Sequence, residues 1–369
     1  MVSQQSNQRK PFIDLIESQG TIDNRYTDLK AIDPNGGGGH FSILIKARDL
    51  QSSKQRKMVA LKFFDPGGYK DTYRLNCFSR ESDILLQLRG QRNILPIVQG
   101  KSDLQVKLKS EQGIEFPLQL IYYVAPLAET NIKTYIYSNP TYLRSIFYFR
   151  EMCKAVQRIH KNKICHRDLK PDNFLIYTKR YVCLSDFGTA RGFTDNIQPI
   201  VDHYPGPVGD LRYVAPELLC GLHSSSHHVF CADIYSLGAI LFEFFTKNIL
   251  STDIHDHDTT MKLITNFHSI PEKNRLSVFD GVIGGIAEKK KLQSVKLYDS
   301  LMPLNLAFHI DRLYQGMACL DYRKRITDFN EIFMKINICE KIIQHNIVLE
   351  QRKIMKLKKK SLTQENINA

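Results

Sequence analysis

Between His166 and Asn173 the chain reads His166-Arg167-Asp168-Leu169-Lys170-Pro171-Asp172-Asn173. An aspartate stands two residues after a histidine, a lysine two further on, and an asparagine five after the aspartate. Eighteen residues past Asp168 comes Asp186-Phe187-Gly188. The set holds a carboxylate able to orient a hydroxyl and take its proton, a cation, and two oxygen-bearing side chains able to ligate a hard ion such as Mg²⁺. Those are the groups that moving a phosphoryl group requires. Any one of them alone is an ordinary polar loop residue; eight contiguous residues followed in order by Asp-Phe-Gly are not.

The combination resembles the catalytic loop and metal-binding motif of protein kinases, H-R-D-L-x-x-x-N followed by D-F-G. The resemblance gives Asp168 the role of general base, places Lys170 beside the moving phosphoryl group, and makes Asn173 and Asp186 the Mg²⁺ ligands. Val59-Ala60-Leu61-Lys62 is similar to the family's V-A-I-K, which implies that Lys62 holds the α and β phosphates. Glu81, in E-x-x-I-L-L-x-L, is the expected partner of Lys62, with Asp83 as the alternative. Gly37, Gly39, Phe41, Leu44 and Ala47 give G-x-G-x-F-x-x-L-x-x-A, similar to the glycine-rich loop over the nucleotide phosphates. The family's third glycine is Ser42 here. The same resemblance assigns Leu44, Ala60 and Leu175 to the nucleotide. It puts Ala125 at the gatekeeper position, with the Pro126 carbonyl and the Ala128 amide facing adenine.

These residues need elements to carry them. Tyr26 to Asp33, Phe41 to Arg48 and Met58 to Phe64 read as strands, and Asp71 to Leu88 as a helix with Leu75, Phe78, Ser82, Leu85 and Leu88 near one face. Two more strands are expected near 94–109 and 117–124. A helix over Thr141 to His160 feeds the catalytic loop, and a hairpin of 174–176 with 181–184 presents Asp186. Ala215-Pro216-Glu217, Asp233 in Ala232 to Gly238, and Arg325 resemble the later family motifs, Arg325 being the partner of Glu217. Gly209-Asp210 departs from the Gly-Thr of the Ser/Thr branch, and Asp210 is read as an acceptor for Lys170. Thr194, then Tyr204, are the candidate phosphorylation sites, with Arg167 as the receiving cation. From Thr246 to about Leu306 the resemblance lapses.

Composition sets outer bounds. The chain has 369 residues, 43% hydrophobic and 24% charged, enough for two lobes with ample core. No run of about 18 apolar residues is read as a membrane span, and the start, MVSQQSNQRKPF, has no signal-peptide core. Eight scattered cysteines suit a reducing, cytoplasmic setting. Cys220, His223, His227, His228 and Cys231 lack a paired C-x-x-C and are read as a solvated loop rather than a zinc site. Arg352 to Lys360 supplies six of the thirteen net positive charges. Ile336, Ile343, Ile347 and Ile354 mark an amphipathic helix, read as packed on the lower lobe with a frayed, solvated basic end; contact of that end with an acidic partner or surface is the alternative.

The sequence therefore predicts an α+β, bilobal protein kinase fold: a flexible leader over 1–24, a β-rich N-lobe with one helix and the hinge over 25–128, a mainly helical C-lobe over 129–340, and a basic amphipathic tail over 341–369. The implied activity is ATP- and Mg²⁺-dependent transfer of the γ-phosphoryl group to Ser or Thr of a protein, with autophosphorylation in trans. Two alternatives remain: a kinase-shaped binding or scaffold protein, and a phosphotransferase acting on a small-molecule hydroxyl.

Overall fold

The computed structural model describes residues 2–33, 42–52, 58–109, 113–138, 140–178, 181–193, 208–223, 225–254 and 256–367. The chain divides into two compact units. The first comprises Met1–Ile132, Arg158–His166 and Asp172–Tyr204; the second comprises Lys133–Gln157, Arg167–Pro171 and Pro205–Ala369.

In the first unit, helix α1 (Val2–Glu17) leads into strands β1 (Thr21–Ile22), β2 (Tyr26–Ala31), β3 (Ser42–Asp49) and β4 (Met58–Phe64). Helix α2 (Thr72–Gln87) and strands β5 (Gln99–Lys109) and β6 (Glu115–Pro126) follow. They form an antiparallel sheet of order β1-β2-β3-β4-β6-β5. Ile45, Leu61 and Val124 lie opposite one another across β3, β4 and β6, all fully buried. Facing residues of paired strands share a side of the sheet, so this side is the apolar core. The other side carries Leu44 opposite Lys62 opposite Tyr123, and Lys46 opposite Ala60 opposite Ala125.

The 1–24 leader is not loose. Helix α1 sets Ile13 and Ile16 into the apolar core beside Ile22 and Tyr26. It is held at its middle and its C-terminal end: Arg9 Nε lies 2.7 Å from Asp65 Oδ2, and Glu17 Oε1 accepts the Ala31 amide at 2.7 Å. Two isoleucines three residues apart make too short an apolar stripe to announce a helix. The sheet supplies the rest of the surface, so this unit has two helices flanking its sheet rather than one.

The remaining pieces of the first unit are short. Strand β7 (Thr130–Asn131) pairs with β9 (Phe174–Thr178), which pairs with β10 (Tyr181–Leu184); β8 (Ile164–Cys165) pairs with β11 (Arg191–Gly192). The first segment of this unit ends at Ile132 rather than 128, and Arg158–His166 and Asp172–Tyr204, expected in the C-lobe over 129–340, belong to it as well.

The second unit is helical. It contains α3 (Ile132–Ile136, from its second residue), most of α4 (Tyr142–Lys161), α5 (Pro216–Leu219) and α6 (Ser226–Thr246). After these come α7 (Leu250–Ile254), α8 (His257–His268), α9 (Glu272–Lys289), α10 (Leu304–Met317) and α11 (Phe329–Ile367). Thus the stretch after Thr246, unreadable as family sequence, is three helices and a connection. Helix α6 is long and apolar enough to cross a bilayer by length and composition, but 94% of its apolar window is buried inside the protein, which marks a core helix. Gly238 lets α10 approach it, since a Cβ there would stand 2.7 Å from the Ala318 nitrogen. The 340/341 boundary is absent as a structural break: α11 runs through it for 39 residues.

Candidate active site

Met58 to Phe64 alternates Val, Leu and Phe on the core side with Ala60 and Lys62 on the other. That places Lys62 toward α2, whose N-terminus is capped by the Asp71 side chain accepting the Arg74 amide. Lys62 Nζ lies 2.7 and 3.0 Å from the two Glu81 carboxylate oxygens and 3.1 Å from Asp186 Oδ1. Asp83, the other acid considered on α2, is exposed. Burial works against the ammonium's charge, but Asp186 and Glu81 outweigh it and hold Lys62 well above the ordinary lysine value. The lysine is a fixed cation. Its two partners differ: the Glu81 side chain is 2% exposed and the Asp186 side chain 42%.

Asp186 follows the β9–β10 hairpin. The Ser185 amide and hydroxyl both donate to the Asn173 carbonyl at 2.9 Å, so Asn173 and Asp186 sit at adjoining positions of one strand pair. Asp186 adopts a left-handed backbone, φ 64°. The Phe187 ring is fully buried with its centroid 5.1 Å from that of His166. His166 Nε2 is 2.9 Å from the Ser185 carbonyl, and the Thr189 hydroxyl donates to the His166 carbonyl at 3.0 Å. A carboxylate and an amide oxygen are the hard donors that Mg²⁺ takes, and the open side of Asp186 leaves room for such an ion.

Leu44, Ala60 and Ala125 share the Lys62 side of the sheet; Leu44 and Ala60 are half-buried and Ala125 is buried. Leu175 lies on β9 opposite Asn131 and Cys183 and is half-buried. The Pro126 carbonyl accepts the Tyr177 hydroxyl at 3.0 Å, a contact the sequence did not suggest. Leu127 and Glu129 donate their amides to the Met58 and Ile176 carbonyls, while the Ala128 amide between them has no hydrogen-bond partner among the described residues. Gly37 and Gly39, and the candidate phosphorylation sites Thr194 and Tyr204, lie outside the described residues.

The second unit holds the other part of the loop. Lys170 Nζ is 2.9 Å from Asp168 Oδ2, and Asp168 Oδ1 accepts the Asp210 amide at 2.8 Å. The Arg167 amide donates to Asp233 Oδ1 at 2.9 Å, which fixes the backbone just before the aspartate. Gly209 has φ +98°, and a Cβ there would meet the Arg167 carbonyl oxygen at 2.4 Å, so only glycine allows this approach. Asp210 does not accept from Lys170. Its carboxylate is taken by Arg212, whose Nε and amide reach Oδ1 at 2.9 and 3.0 Å and whose Nη2 reaches Oδ2 at 2.5 Å. A guanidinium two residues away offers a planar fork that a lysine cannot match. Glu217 and Arg325 form a fully buried pair at 2.5 and 3.1 Å. In the histidine–cysteine stretch, His227 Nε2 is 3.8 Å from Cys231 Sγ, and the His228 ring stacks edge-on against Tyr322 at 4.7 Å.

A cation shared by a buried and an open carboxylate in the first unit, and a lysine–carboxylate pair in the second, are each arrangements that phosphoryl transfer can use. The model of the protein kinase domain matches residues 34–348. Mitogen-activated protein kinases named HOG1 are 29% identical over 317 residues: that of Beauveria bassiana over 83% of this chain and 76% of its own, and that of Trichoderma harzianum over 83% and 77%. A serine/threonine-protein kinase of Candida albicans is 27% identical over 332 residues, 84% of this chain and 42% of its own. The chain belongs to the protein kinase family.

Proposed function

We propose that this protein kinase takes ATP with Mg²⁺ and transfers the γ-phosphoryl group to Ser or Thr hydroxyls of a protein acceptor. The observation that carries the reading is Lys62 shared between Glu81 and Asp186. In protein kinases the lysine–glutamate pair and the Asp-Phe-Gly aspartate must both be in place for turnover. Glu81 orients Lys62, and Lys62 presents its charge to the nucleotide's phosphates. Asp186 and Asn173 would hold Mg²⁺, which when bound neutralises charge on the phosphate oxygens. Leu44, Ala60 and Leu175 offer apolar surface for adenine, beside the Pro126 carbonyl and the Ala128 amide. Asp168 takes the proton from the attacking hydroxyl, and Lys170 holds that carboxylate in place.

The test is purified protein with labelled ATP and Mg²⁺, followed by mapping of the modified residues, with Asp168→Asn alongside. The variant is expected to fold and bind nucleotide while losing about 10²- to 10⁴-fold in rate. Wild-type turnover in Asp168→Asn, or label on a small molecule alone, overturns the proposal. Label on Thr194 or Tyr204, acquired with second-order dependence on protein concentration, would establish autophosphorylation in trans.

A further inference from the structure

The serine/threonine branch carries a neutral threonine where this chain has Asp210, so a negative charge stands next to the catalytic carboxylate. Asp210 gives its amide to Asp168 Oδ1 at 2.8 Å, while Lys170 holds Asp168 Oδ2 at 2.9 Å. An uncompensated carboxylate at Asp210 would repel Asp168 and compete for Lys170. Arg212 offsets that charge by engaging the two Asp210 oxygens in a bidentate pair and donating its own amide to one of them. Burial opposes the charge on Asp210, but these hydrogen bonds, with the charges of Arg212 and Lys170, hold its carboxyl below the usual range. The guanidinium also lies over the Tyr213 ring at 5.7 Å, and the Tyr213 hydroxyl donates to the buried Glu243 at 2.7 Å. The ring on which the guanidinium rests is thus itself held in place.

We infer that Arg212 is a positioning residue for phosphoryl transfer: by pairing with both Asp210 carboxylate oxygens it keeps the Asp210 amide aimed at Asp168. This substitutes a charge pair for the hydroxyl that the family's threonine provides. The inference rests on the role proposed above for Asp168, and the two can fail separately.

Turnover and KM for ATP and acceptor are measured for Arg212→Gln, Asp210→Asn/Arg212→Gln and Asp210→Thr/Arg212→Gln, with thermal melts to verify folding. Arg212→Gln is expected to lose about tenfold in kcat with KM for ATP unchanged, the size of effect that a small misplacement of a reacting group produces. Both double variants are expected to recover most of that loss, because each removes the unpaired charge; the threonine variant also restores the hydroxyl. Merely structural damage would not be rescued by a second substitution. Wild-type kcat in Arg212→Gln, or double variants no better than the single one, overturns the inference. Full activity in Asp168→Asn, run in the same series, would instead overturn the reading on which it rests.

Discussion

The two units each contain an arginine- or lysine-centred ion pair with a buried acid, and the pairs are built to opposite ends. Arg325 and Glu217 both have side chains 0% exposed, and the guanidinium donates further to the Cys231 and Cys319 carbonyls and lies over the Tyr235 ring at 5.2 Å. Every donor has a fixed use. Lys62 is 16% exposed and divides itself between Glu81 at 2% and Asp186 at 42%. A sealed pair cannot change partners without leaving a charge buried. One with an open carboxylate can hand that arm to an incoming cation or phosphate. The difference separates scaffold from working site without appeal to sequence motif.

The contrast breaks if the two pairs respond alike to substitution. Asp186→Asn is expected to lose more than about 10²-fold in turnover, since metal-borne charge stabilisation is worth several kcal/mol. Its unfolding free energy, measured in urea, should change by less than about 1 kcal/mol, as for other half-exposed pairs. Arg325→Met is expected to lose about 3–5 kcal/mol of stability, because Glu217 remains buried without its cation. Lys62→Met falls between the two. Its motif alone predicts lost activity with little change in stability, but Glu81 would be stranded at 2% exposure, so a stability cost of about 1–3 kcal/mol is expected. A stability loss for Asp186→Asn equal to that of Arg325→Met would erase the distinction between open and sealed.

Much of the site was legible because kinase chemistry packs its groups into short contiguous segments. Asp168, Lys170 and Asn173 lie within six residues, and Val59-Ala60-Leu61-Lys62 lies within a single strand. The strand and helix around Lys62 and Glu81 were readable from alternation and from the face that Leu75, Phe78, Ser82, Leu85 and Leu88 share. What was not legible depended on distant surface. Helix α1 is outside the 34–348 match and gains its apolar contacts only from the assembled sheet. Arg212 was visible beside Asp210, yet choosing it over Lys170 required knowing that Lys170 is already held by Asp168. The helices after Thr246 lack a motif to align, and their polar faces hide their period.

Helix α1 extends the comparison to an element with no chemistry of its own. Ile16 is fully buried in the sheet's core, whereas a loose leader would expose it. Ile16→Val removes one methylene and is expected to cost about 0.5–1.5 kcal/mol in urea unfolding, with the lost cavity setting the value. Unchanged stability would mean that α1 leaves the sheet in solution.

The smallest effect belongs to the far end of α11, where the same apolar stripe passes from sealed to open. Ile336 is fully buried and Ile343 is 3% exposed, whereas Ile347 is 40% and Ile354 is 49% exposed. The spacing of seven, four and seven keeps these residues near one face of the helix, so sequence alone treats them as equals. Burial does not: beyond Ile343 the helix carries its stripe into solvent, among Arg352, Lys353 and Lys356, which are exposed. Ile354→Ser is therefore expected to change the unfolding free energy by less than about 0.5 kcal/mol, as for other surface positions. Ile336→Ala, on the same stripe, should cost about 2–5 kcal/mol. A loss above about 1 kcal/mol for Ile354→Ser, measured at two protein concentrations, would show that the exposed stripe is covered in solution; dependence on concentration would identify the cover as a second copy of the chain.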